Sequence, residues 1–125
     1  MFDQRLSASF ASTVICATLL LASTAVGQTI WYVDAANCPG PGDGSAGNPF
    51  CEIQAAINAA APSATPPDEI VVADGTYTVA GNKNLDFGGK IIKLRSASGD
   101  PAACIIDCQG DGRGFYFHNE GWANG

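Results

Sequence analysis

After Pro67, no apolar run in the chain exceeds about five residues, and each is stopped by glycine or an Asp-Gly turn. IVV at 70–72 meets Asp74-Gly75. LDF at 85–87 meets Gly88-Gly89, and IIKL at 91–94 meets Ser98-Gly99-Asp100-Pro101. CII at 104–106 precedes the glycines between Gly110 and Gly114, and FYF follows at 115–117. Hairpin meanders use longer alternating strands, and βαβ units need a helix between strands. Very short strands with sharp corners suit a coil of β-rungs, each burying its inward side chains on the next. Alternation then predicts Ile92, Leu94, Ile106, Phe115 and Phe117 inward, with Lys93 and Arg95 outward.

Two elements precede these runs. TIWYVDA, 29–35, reads as a short strand rich in pleat-forming residues. FCEIQAAINAAA, 50–61, is the one helical pattern, with Phe50, Ile53 and Ile57 on a narrow apolar stripe. Asn48 is the expected N-cap and Pro49 the first helical residue. Pro62, Pro66 and Pro67 end the helix.

In order, YVDAANC, GDGSAGNPFCEIQAAINAA, DEIVVADGTYTV, KIIKLRSASGDP and IIDCQGDGRGF resemble the start of right-handed parallel β-helix proteins of the pectin-lyase-like superfamily. The resemblance spans about residues 30–117. It implies a mainly β fold: the first rungs of a right-handed parallel β-helix, a solenoid, beneath an N-terminal capping α-helix. IQAAINAA would be the cap and DEIVVADGTY the first rung. The same opening precedes enzymes, adhesins and proteins of unknown role. Polysaccharide lyases of the superfamily place their acids and base arginine on deeper rungs, and no position here matches such a motif.

The expected organisation is a signal peptide at 1–27, a strand, loop and capping helix at 28–67, and the first rungs at 68–125. The head is weakly basic, residues 11–22 are apolar, and Ala25-Val26-Gly27 offers the small residues read before cleavage at Gln28. The apolar core is about half of the roughly 20 residues that a membrane span needs, so no span is expected. Cys16 lies inside that core and leaves with it. Rungs of about 20 or more residues would number two to three here, so the coil is expected to continue C-terminally. The terminal NEGWANG is neither an apolar strand nor a covering helix.

Cleavage removes one acid and one base, leaving the net charge at −6. An acidic exported chain is a poor partner for nucleic acid or an anionic membrane surface. Four cysteines remain, and even parity after export favours disulfides, with zinc the rival. Cys38 and Cys51 bracket a loop with four glycines and three prolines, whose freedom a bridge would reduce. Cys104 and Cys108, if on one extended strand, lie roughly 13 Å apart and can pair only across a turn.

Candidate chemistry is sparse. Asp107 to Gly112 fails the EF-hand pattern, with Gln109 and His118 where ligands belong. The Gly110–Gly114 glycines lack the following helix of a dinucleotide site. Asp34, Asp43 and Asp74 sit at strand ends or beside glycine, where aspartate serves turns. His118 has no partner in sequence. Lys83, Lys90, Lys93 and Arg95 gather within a short stretch, and Lys90, Lys93 and Arg95 form the candidate ligand face, suited to an acidic polysaccharide. No cofactor and no catalytic residue are assigned. The expected function is an exported, non-catalytic surface, adhesion or carbohydrate-binding module, secreted, periplasmic or at the cell surface. The alternative is the N-terminal part of a polysaccharide lyase or glycoside hydrolase acting on acidic polysaccharide.

Overall fold

The computed structural model describes residues 27–117. The leader up to Val26, with Cys16, lies outside the described residues, as do His118 and NEGWANG. The elements run β1 (Ile30–Val33), α1 (Ile53–Ala59), β2 (Asp68–Val72), β3 (Gly75–Tyr77), β4 (Leu85–Asp86), β5 (Ile92–Ser96), β6 (Cys104–Ile106) and β7 (Phe115–Tyr116). Every pairing between these strands is parallel. β1, β2 and β5 form one sheet, β3 pairs with β6, and β4 pairs with β7. No helix among the described residues is long and apolar enough to cross a membrane.

This arrangement corrects the expected right-handed parallel β-helix. Among the described residues, the strands fall into three separate sheets of three, two and two strands, and no sheet closes or continues as a solenoid. A solenoid sheet needs successive strands on each of its faces, and two of these sheets have only two strands among the described residues. The predicted inward set divides accordingly. Ile92, Leu94 and Ile106 pack partly against the core. Phe115 and Phe117 do not: they are 36% and 77% exposed, and they stack on each other and on Phe87 with centroids about 6 Å apart.

The core comprises Val33, Ile53, Ala56, Ile57, Ile70, Val72, Tyr77 and Leu85, where α1 meets the inward sides of the sheets. Alternation delivers them: Ile70 and Val72 turn inward while Glu69 and Val71 project from the other side of β2. Tyr77 is buried, and its hydroxyl donates to the Ala73 carbonyl at 2.7 Å. Desolvation is the chief cause that pushes its pKa to about 12.

The helix starts later than its sequence predicts. Phe50 is not helical. Its amide donates to the Tyr32 carbonyl at 2.9 Å, its backbone bridges to Val33, and its ring stacks on Trp31. The backbone therefore stays extended past Asn48 and Pro49, and α1 begins at Ile53. Glu52, at the N-cap position, makes no side-chain cap. Buried Asn82 takes that role from a distant turn, its Oδ1 accepting from the Ile53 amide at 2.6 Å. At the other end, Lys90 Nζ donates to the carbonyls of Ile57, Asn58 and Ala60, each at 2.8 Å. Gln54 joins the helix to β4, its amide donating to the Asp86 carbonyl and accepting from the Asp86 N–H. A helix this short is marginal alone, so later segments complete it.

Asp68 closes the strand-helix junction. It is 1% exposed. Its carboxylate accepts from the Thr29 amide at 2.9 Å, the Ala61 amide at 2.9 Å and Trp31 Nε1 at 3.2 Å. Burial pushes its pKa up, but those donors and the Lys90 charge outweigh burial and hold it below the usual value.

Candidate functional site

The outward side of the β1–β2–β5 sheet collects most of the polar side chains that alternation turns away from the core. Register aligns Ile30, Glu69 and Lys93 in one row and Tyr32, Val71 and Arg95 in the next. Glu69 stands between the two bases. Its Oε2 lies 3.6 Å from Lys93 Nζ, and its Oε1 accepts from Arg95 Nε. The Arg95 hydrogen bond is the main cause holding the Glu69 carboxyl below its ordinary range; partial burial opposes it and the Lys93 charge adds to it. The Glu69 side chain is 12% exposed, against 62% for Lys93 and 45% for Arg95. The bases thus face solvent over a shielded acid, one carboxylate serving two cations. Beside them, Tyr32, Asp34, Pro49, Val71 and Ala97 help line a cavity of about 200 Å³.

The other two bases of the sequence cluster lie elsewhere. Lys90 is consumed by the C-terminal end of α1 and is part of the scaffold. Lys83 pairs with Asp111 at 3.2 Å. The lysines and arginine that crowd one stretch of sequence therefore serve three separate partners, and only Lys93 and Arg95 share a face.

Cys38 and Cys51 form a disulfide, with Cα atoms 4.9 Å apart. Cys104 and Cys108 are free thiols. Burial pushes the Cys104 thiol pKa up and Asp74 adds to it, which disfavours the reactive thiolate. Asp34 and Asp43 cap turns, accepting from the amides of Ala36 and Ser45. Asp74 accepts from the Ser98 hydroxyl and Asp107 from the Gln109 amide. Among the described residues, no group of three or more His, Cys, Asp or Glu is arranged to hold a metal ion.

Sequence reasoning missed Asp68, Asn82 and Gln54, which position the sheet and helix beneath this face. Two acids leading into the apolar run of β2 were the only local signal, at Asp68. Asn82 and Gln54 carry none, because their partners lie about 30 residues away.

Compared with known proteins, the chain matches no family model, no curated protein and no solved structure.

Proposed function

We propose that the chain is an exported, non-catalytic binding module whose ligand face is the outward side of the β1–β2–β5 sheet. Its ligand is a carboxylate-bearing polysaccharide. The pairing of Lys93 and Arg95 over one shielded carboxylate carries this reading. Glu69 balances one of the two positive charges and holds both side chains in place, leaving exposed donors suited to carboxylates spaced along a chain. Export rests on the apolar leader pattern and agrees with the Cys38–Cys51 bridge, since disulfides persist in oxidising compartments.

Affinity electrophoresis in gels containing polygalacturonate or alginate tests the reading. The chain should be retarded, K93Q/R95Q should migrate freely, and added salt should release the wild type. Equal retardation of both proteins, or none of either, rejects the face. Incubation of the same chain with these polymers and calcium should yield no unsaturated product absorbance. Its appearance would replace binding with lyase activity. N-terminal sequencing of exported material should begin at Gln28.

A further inference from the structure

The two edges of the β1–β2–β5 sheet differ in a way that points to a partner. At β1, the edge away from β2 is already bonded. Tyr32 donates to the Gly44 carbonyl and accepts from the Phe50 amide, and Asp34 donates to the Phe50 carbonyl, each at 2.9 Å. At β5, the Ala97 amide is spent on the Val72 carbonyl of β2. Parallel-ladder alternation therefore turns the amides of Ile92, Leu94 and Ser96 toward the opposite edge. No described strand pairs there. Behind that edge, a cavity of about 170 Å³ opens between β5 and β6, lined by Leu94, Ser96, Cys104 and Ile106 with Val72 and Ile53.

We propose that the free edge of β5 receives one extended strand of a partner polypeptide, with acidic residues at its outward positions and small apolar residues at its inward ones. The charges select this occupant. Glu69 on β2 already shows the pairing that Lys93 and Arg95 accept from one neighbouring strand. An acid on a strand added at the other side would neutralise the base that Glu69 leaves over. Apolar side chains on the alternate positions would enter the cavity beside Leu94 and Ile106.

A second copy of this chain is the poorer occupant. Head-to-tail stacking needs the β1 edge, which the Gly44–Phe50 segment occupies. A two-fold contact would pair β5 antiparallel with itself. Every register that keeps Leu94 inward and pairs at least three residues of β5 then sets Lys93 or Arg95 opposite another Lys93 or Arg95, and like charges directly opposite are destabilising. Addition of a strand to an exposed sheet edge uses main-chain hydrogen bonds for affinity and alternate side chains for specificity. Both are available at β5.

The test uses two blocked hexapeptides, TEVEVT and TKVKVT, added to the purified chain at low salt. Anisotropy of labelled peptide should show saturable binding of TEVEVT, about tenfold tighter than TKVKVT. Amide exchange followed by NMR should slow at Ile92, Leu94 and Ser96 and remain unchanged at Tyr32. K93E/R95E should reverse the preference, and K93Q should narrow it, with thermal melts reporting whether each variant is folded. Equal affinity for both peptides, or protection elsewhere on the molecule, overturns the proposal. Absence of binding also overturns it, and leaves Lys93 and Arg95 to the polysaccharide face alone, which the electrophoresis tests separately. A concentration-dependent dimer with slowed exchange at β5, in the absence of peptide, would assign the edge to a second copy instead.

Discussion

β1 and β5 are short strands on opposite sides of β2, yet the outer edge of one is sealed and that of the other pairs with no strand among the described residues. The seal over β1 is made by segments adjacent in sequence. The Cys38–Cys51 loop folds back so that Gly44 and Phe50 bond to Tyr32. Gly44 has φ +84°, and a Cβ there would sit 2.4 Å from the Phe50 ring and 2.7 Å from that of Trp31. Only glycine lets the loop lie this close. Asp68 then ties Thr29, Trp31 and Ala61 together beneath it. β5 has no such cover among the described residues; its Ile92 and Leu94 remain half-buried. The difference teaches that strand edges here are protected by local loops rather than by the strands themselves. Stability should therefore be concentrated at the sealed end.

Substitutions of graded severity sharpen that contrast. The largest effect is expected from Asp68→Ala, which takes the shared acceptor from three part-buried donors on two segments and should cost about 4 kcal/mol in urea unfolding. The same residue sets an acid response. Its native pKa is depressed, so its contribution is present above the ordinary aspartate value of 3.8 and is lost as pH falls through the lower native value. Asp68→Asn should flatten that acid limb. A wild-type limb that the variant leaves unaltered would remove Asp68 from its place as the junction.

Next, C38S/C51S should destabilise the chain by about 3 kcal/mol, the scale set by the short loop it opens. Amide exchange should accelerate at Tyr32 and leave β5 unaffected. Acceleration at β5 instead would break the comparison between the two edges. Asn82→Ala should cost about 2 kcal/mol, at the upper end for a lost N-cap because the site is buried. Circular dichroism should show helix loss before global unfolding.

The smallest effect belongs to the exposed aromatic stack. Phe117→Ser should change stability by no more than about 0.5 kcal/mol, since most of that ring already faces water. A loss of several times that size in thermal melts would mean that the stack is a true core and that the two ends are alike.

Several features were legible from local chemistry alone. Glycine and Asp-Gly punctuation limits every strand after Pro67 to a few residues, because each corner must be turned by a residue that tolerates it. Period-two alternation in KIIKLRS directs Ile92 and Leu94 toward the core and Lys93 and Arg95 toward solvent. The proline- and glycine-rich loop between Cys38 and Cys51 marks those two as partners. None of these depends on distant residues. Tertiary structure decided the rest. Phe50 belongs to the sheet because Tyr32 and Val33 hold its backbone, which moves the helix start from Asn48-Pro49 to Ile53. Lys90 leaves the basic cluster because unsatisfied carbonyls at the end of α1 lie within its reach. Three small sheets form instead of a closed coil, because parallel pairing joins residues tens of positions apart and nothing in a single run specifies how many such pairings follow.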